Sequence, residues 1–161
     1  MPHIALVTEI SAPPMICFDV SRDVSVHLAS SPTERVVAGV RSGRMQLGDQ
    51  VTWRSRQFGV TWTMTSKIVE YHPPDRFVDE MQRGPFARWR HEHRFEGVAS
   101  ATRMVDEVDY ASPLGPLGRI VDTLVVKRHM TRLLRRRNAH VRLAAEVAAS
   151  LAGNASSPPS T

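Results

Sequence analysis

The chain has 161 residues, of which 42% are hydrophobic and 23% charged, and a formal net charge of +5. That length supports one domain with a buried core and no need of metal or disulfide staples, and a single cysteine, Cys17, excludes an internal disulfide and suits a reduced, cytoplasmic setting. No run reaches the ~18 apolar residues of a membrane span, and Ile4-Ala5-Leu6-Val7 follows the start without a basic flank, so no signal peptide is expected.

In chain order, His3 to Ile10 reads as a first strand, stopped by Ser11-Ala12-Pro13-Pro14. Proline is tolerated in the first turn of a helix and Ser11 can cap one, so Met15, Ile16, Phe18 and Val20 predict a short helix. A second short helix runs from about Asp23, its cap, to Ser30. Cys17, between Ile16 and Phe18, reads as a small buried hydrophobe and not as a reactive thiol.

From Glu34 the punctuation changes. Turn signals at Ser42-Gly43, Leu47-Gly48-Asp49, Gln57-Phe58-Gly59, His72-Pro73-Pro74-Asp75, Arg83-Gly84-Pro85 and Gly97-Val98-Ala99-Ser100 separate segments of strand length. Strands are expected at 34–41, 50–57, 60–70, 76–82, 86–96 and 102–111, joined as antiparallel hairpins, which with the first strand makes seven. Period-2 alternation assigns their faces. Ala87, Trp89, His91, His93 and Phe95 share one face of 86–96, opposite Arg88, Arg90, Glu92, Arg94 and Glu96. Thr102, Met104, Asp106, Val108 and Tyr110 point inward from 102–111, as do Val51, Trp53 and Ser55 from 50–56. In 76–82 the inward set is Phe77, Asp79 and Met81, with Val78, Glu80 and Gln82 as the alternative.

Pro113-Leu114-Gly115-Pro116-Leu117-Gly118 ends the last strand, and a long helix follows to about Ala149. Leu117, Val121 and Leu124 form one stripe on it; Met130, Leu133, Leu134, Val141, Ala144, Ala145 and Ala148 form another on a different face. A kink, a late start or two different contacts would each explain the change. Residues 1–150 therefore read as a single α+β domain, and 151–161 as a Ser/Pro/Gly-rich disordered tail. Arg119, Lys127, Arg128, Arg132, Arg135, Arg136, Arg137 and Arg142 lie on the helical segment against Asp122 alone, leaving 13 basic and 15 acidic residues elsewhere. The positive charge belongs to one helix, and no nucleic-acid-binding surface is expected.

The order strand, two short helices, six strands, long helix resembles the START/polyketide-cyclase (SRPBCC) superfamily. So do Ile10-Ser11-Ala12-Pro13-Pro14, Tyr71-His72-Pro73-Pro74-Asp75-Arg76-Phe77-Val78-Asp79-Glu80, Gly84-Pro85-Phe86, the run from Trp89 to Phe95, Thr102 to Asp106, and Ser112-Pro113-Leu114-Gly115-Pro116-Leu117-Gly118 before a basic helix. The resemblance covers residues 3–149 and implies the helix-grip fold: a curved seven-stranded antiparallel sheet around the C-terminal helix. It also implies a cavity between them, lined by Trp53, Phe77, Asp79, Met81, Trp89, Phe95, Met104, Val108 and Tyr110. On residue types alone the same side chains suit a filled core.

The function implied is non-covalent binding of a small hydrophobic molecule, lipid- or polyketide-like, without a cofactor. The alternative is cyclase, aromatase or dehydratase chemistry in the same cavity, with His91 or His93 as base, Asp106 fixing the tautomer and Tyr110 polarising a carbonyl. His91 and His93 with Asp106 or Asp79 could also converge on a metal, but His-x-His lacks the spacing of a zinc motif, and a buried His–Asp network is the plainer reading. Arg132, Arg135 and Arg136 could meet anionic lipid headgroups; the plainer alternatives are a solvated face, or neutralisation by Glu107 and Asp109 of a second copy in a homodimer.

Overall fold

The computed structural model describes residues 2–57, 59–111 and 125–155. Strand β1 (His3–Ile10) leads into helices α1 (Pro14–Ser21) and α2 (Val24–Ser30). Six strands follow: β2 (Arg35–Gly39), β3 (Gln50–Gln57), β4 (Val60–His72), β5 (Arg76–Arg83), β6 (Arg88–Val98) and β7 (Ala101–Ala111). The chain closes with helix α3 (Lys127–Ala155), preceded by a π-type turn at Val125 and Val126. The strands form one sheet in the order β1-β7-β6-β5-β4-β3-β2, antiparallel at every pairing. Hairpins run in sequence from β2 to β7, and β1 returns to the free side of β7. This is the α+β helix-grip arrangement expected from the sequence.

Local chemistry explains most boundaries and corrects a few. Asp23 caps α2, its carboxylate accepting from the Ser25 amide at 2.7 Å. Ser11 does not cap α1; extended Pro13 sits at that position, makes no side-chain cap, and Pro14 fills the first turn where an N–H is not needed. β2 is shorter than expected because its register shifts between Val36 and Ala38, and it ends at Gly39. There φ is +80°, and a Cβ would stand 2.1 Å from the Gln50 carbonyl oxygen. Ala87 lies ahead of β6 and is exposed, whereas Trp89, His91, His93 and Phe95 are buried in alternation.

β5 departs from strict alternation. Phe77 faces inward as expected, yet Val78 on the other face is also fully buried. The register of β4 against β5 shifts between Ile68 and Glu70, and Val78 sits between Glu70 and Glu92. Those two carboxylates belong to an ion-pair layer on the convex face: Arg90 bridges Glu70 at 2.8 Å and Glu92 at 3.0 Å, and Arg94 reaches Glu107 at 3.1 Å. The aliphatic arms of such a layer can cover a valine.

On α3, Leu134, Asn138, Val141 and Ala145 are buried, at the i, i+4, i+7, i+11 spacing of one helix face. Leu117, Val121 and Leu124 lie outside the described residues, as does the Pro113–Gly118 segment. The helix continues to Ala155, so residues 151–155 extend it and are not tail-like; residues 156–161 of the expected tail lie outside the described residues. Cys17 is fully buried and its thiol pKa is pushed up by burial. No helix among the described residues is long and apolar enough to cross a membrane.

The interior is two apolar clusters with a polar band between them. One gathers Phe18, Phe77, Phe95, Met104, Val141 and Ala145, with Phe18 in edge contact with Tyr71, Phe77 and Phe95. The other gathers Ile4, Trp89, Val108, Tyr110 and Leu134. Every element that crosses the interior changes from one cluster to the other through a polar residue. Asp79 follows Phe77 on β5, His91 and His93 lie between Trp89 and Phe95 on β6, Asp106 between Met104 and Val108 on β7, and Asn138 between Leu134 and Val141 on α3.

Candidate functional site

A cavity of about 590 Å³ lies between the concave face of β3 to β6, helix α2 and the first half of α3. Its sheet wall carries Val51, Trp53, Met64, Ile68, Phe77 and Trp89; α3 contributes Met130, Leu133 and Leu134. That volume suits a small organic molecule. The wall is mainly apolar, with polar side chains from α2 (His27, Ser30), β3 (Ser55, Gln57) and the band between the two clusters. Asp79, His91 and Arg137 also line the cavity, as do Ser21, Arg22 and Ser66.

The residues anticipated for the wall divide between lining and support. Trp53, Phe77, Asp79, Trp89 and His91 line the cavity. Phe95 and Met104 pack into the first apolar cluster, and Val108 and Tyr110 into the second. Met81 packs against that second cluster, half-buried. His93 and Asp106 stand behind the wall, His93 stacked under Phe77 with ring centroids 4.2 Å apart.

At the sheet wall of the cavity Asp79, His91, His93 and Asp106 form one connected unit. Asp106 Oδ1 is 2.7 Å from His93 Nδ1 and 3.1 Å from His91 Nε2, while Asp106 Oδ2 accepts from Asn138 Nδ2 at 2.6 Å. The opposite ring nitrogens turn to Asp79 Oδ2, His93 Nε2 at 3.3 Å and His91 Nδ1 at 3.8 Å. The two imidazoles overlap at 3.8 Å between centroids. Cross-strand register produces this: Asp79 faces His91 across β5/β6, and His93 faces Asp106 across β6/β7.

The electrostatics follow from burial and pairing. Desolvation, helped by repulsion from His93, pushes His91 down to about 4, so it is neutral at pH 7. For His93 burial opposes the charge, but the hydrogen bond and negative charge of Asp106, with the hydrogen bond to Asp79, together outweigh it and the pKa is raised. Asp79 and Asp106 are also desolvated, yet the imidazole hydrogen bonds hold both carboxyls below the usual range. Arg137 adds positive potential near Asp79 and His93.

The sequence reading missed several of these residues. Arg137 and Asn138 sat inside the basic run, although Asn138 falls on the face set by Leu134 and Val141 and could have been found by that spacing. Arg22 is 5% exposed, donates to the Met45 carbonyl and, at 2.6 Å, to Asp19, and lies over the rings of Phe18 and Tyr71. His27, stacked on Trp53 at 4.1 Å and 2.9 Å from Glu34, lines the α2 side of the cavity.

Residues 1–146 match the family described as polyketide cyclase / dehydrase and lipid transport. None of the curated proteins matches the chain. Among solved structures the chain is similar to TTHA0849 from Thermus thermophilus, with a TM-score of 0.69 and 19% identity over 89% of this chain and 99% of that one. It is also similar to a START superfamily protein from Mycobacterium smegmatis (TM-score 0.61, 14% identity, 93% and 98% covered). A third likeness is to ginseng major latex-like protein 151 from Panax ginseng (0.58, 12%, 86% and 96%). At these identities the likeness concerns the fold.

Proposed function

The chain belongs to the polyketide cyclase / dehydrase and lipid transport family, and we propose that it binds a small, largely apolar molecule of lipid or polyketide type between the sheet and α3. The observation that carries this reading is the cavity itself: about 590 Å³, walled by Trp53, Phe77, Trp89 and Leu134, with Asp79, His91 and Arg137 among its polar lining. An apolar wall supplies affinity through burial, and a few convergent polar groups orient the ligand's oxygen atoms.

A second reading, cyclisation or dehydration of a bound polyketone, draws on His91, which is neutral, faces the cavity and has its Nε2 paired with Asp106. Its depressed pKa makes it a weak base, and Tyr110 belongs to the second apolar cluster and not to the cavity wall. Binding is therefore the reading the geometry supports first. Arg132, Arg135 and Arg136 are exposed and, among the described residues, form no ion pair; in a carrier they would meet anionic headgroups, which vesicle co-sedimentation would test.

Native mass spectrometry of the purified protein, followed by organic extraction, tests the main proposal. A stoichiometric apolar adduct, or one-to-one uptake of a fatty acid, sterol or aromatic polyketide, supports it. A protein that stays free of adducts after incubation with all three classes would overturn it. Turnover of the extracted compound, lost in His91→Ala, would instead favour the enzymatic reading.

A further inference from the structure

The band between the two apolar clusters has an arrangement of donors and acceptors that ligand binding does not require. Asp106 accepts three hydrogen-bonding groups: His91 Nε2 and His93 Nδ1 on one oxygen, Asn138 Nδ2 on the other. That carboxylate therefore fixes which nitrogen of each imidazole carries its proton. When both rings are neutral, the remaining nitrogens, His91 Nδ1 and His93 Nε2, present lone pairs towards Asp79 Oδ2, itself an acceptor. Three acceptors facing one point require a cation among them. A proton on His93 can serve, and so can a metal ion.

We propose that Asp79 Oδ2, His91 Nδ1 and His93 Nε2 form a binding site for a first-row divalent cation of the zinc or iron type. One ligand atom from each of the three residues lies within 4.8 Å of the others, and Asp79 Oδ2 stands 3.3 Å from His93 Nε2 and 3.8 Å from His91 Nδ1. Ligands at about 2.0–2.1 Å from a tetrahedral ion stand about 3.3–3.4 Å apart, so small side-chain rotations would close the set. Two imidazoles with one carboxylate suit a borderline ion better than calcium or magnesium, which prefer all-oxygen shells. Asp106, held by Asn138, occupies the outer position in which a carboxylate orients a metal-bound histidine.

A divalent ion would take the place of any proton held between these acceptors, and both rings would bind it as neutral ligands. Because Asp79 and His91 also line the cavity, the ion's open coordination positions face whatever oxygen-bearing molecule occupies it. The arrangement would polarise a ligand carbonyl or hold a ligand enolate or phenolate.

The probes are cobalt(II) and zinc(II) alone, added to full-length protein that has been treated with chelator and freed of organic ligand. Cobalt(II) is expected to give a saturable one-to-one visible absorption band. Zinc(II) titrated calorimetrically at neutral pH should saturate at one ion per chain. Asp79→Asn, nearly isosteric, and His91→Ala should each weaken binding at least a hundredfold, and Asp106→Asn by about 10–100-fold. His72→Ala, removing an exposed histidine at the end of β4, should leave it unchanged. Circular dichroism and a denaturation midpoint verify that each variant is folded. Absence of stoichiometric binding by folded wild-type protein would overturn the site, as would affinity unchanged in both Asp79→Asn and His91→Ala. Uptake of an apolar molecule by chelated protein is a separate result, so failure of either proposal is visible without the other.

Discussion

Asn138 on α3 donates its amide to Asp106 on β7 at 2.6 Å, across 32 positions of sequence, and thereby ties the gripping helix to the sheet through a buried carboxylate. The same amide lies 3.3 Å from Thr8 Oγ1 on β1, so one side chain joins three elements. Removing it leaves a lone pair of the buried Asp106 unsatisfied. Asn138→Leu, which keeps the branched shape, is expected to lower the unfolding free energy by about 1–3 kcal/mol. Urea denaturation at pH 7 measures this, and an unchanged midpoint would refute the bridging role.

Stability should depend on pH in a way set by the two histidines. The folded-state pKa of His91 is depressed to about 4 from 6.5, so its contribution is full above 6.5 and is lost as pH falls from 6.5 towards 4. The size of that loss is roughly 3 kcal/mol. His93, raised, contributes below 6.5 and loses its contribution as pH rises through its folded pKa. Asp79 and Asp106, both lowered, hold theirs above 3.8 and give it up as pH falls through their folded values. Denaturation midpoints between pH 4 and 8 should fall on the acid side, and His91→Gln should flatten the limb between 6.5 and 4. A wild-type profile flat across that limb would remove the assignment.

Filling the cavity should separate binding from folding. Ser66 is buried on the cavity face of β4, directly across from Val51 on β3 and Met81 on β5. Ser66→Phe places a ring in the open volume and loses little buried polar structure. Affinity for an apolar fluorescent probe should drop at least tenfold while the fold persists, with overpacking costing about 1–3 kcal/mol. Equal affinity in the folded variant would place the probe elsewhere.

Arg22 closes the α1–α2 corner with a guanidinium that has almost no solvent. Its partners are the Met45 carbonyl and the Asp19 carboxylate, and its plane rests near the rings of Phe18 and Tyr71. Lysine cannot make this fork while covering two rings. Arg22→Lys is therefore expected to destabilise by about 1.5–3 kcal/mol, close to the loss of a charged hydrogen bond. A thermal scan in which Arg22→Lys melted with the wild type would show that charge alone suffices.

The fold was legible because its signals are local: turn dipeptides, strand-length spacing and the alternation of Trp89, His91, His93 and Phe95 against Arg90, Glu92 and Arg94. Where two strands disagree in register, local signals fail. The shift opposite β5 buries Val78 together with Phe77, and no pattern within 76–82 announces it. The cavity posed a different difficulty. Inward orientation could be read from period two, but whether an inward side chain borders space or another side chain depends on distances between elements, which separate Trp53 and Trp89 from Phe95 and Met104. The His–Asp pairing was visible as residues sharing a face. Its completion by Asn138 and Arg137 was obscured by the arginines around them, whose charge drew attention from the helix face they occupy.

The polar band also bears on how the chain finds its pairing. Apolar strands can slide past one another at little cost, since one valine or phenylalanine replaces the next. Here a slide of β6 by a single residue against β7 would turn Arg90, Glu92 and Arg94 towards the interior and leave Asp106 opposite a side chain that cannot donate as His93 does. Asp79 imposes the same condition on β5, and Asn138 fixes how far along the sheet α3 can settle. The group of side chains that gives the cavity its chemistry is thus also an alignment key, and a sequence that lost it would keep an oily interior but no longer know which rung belongs beside which.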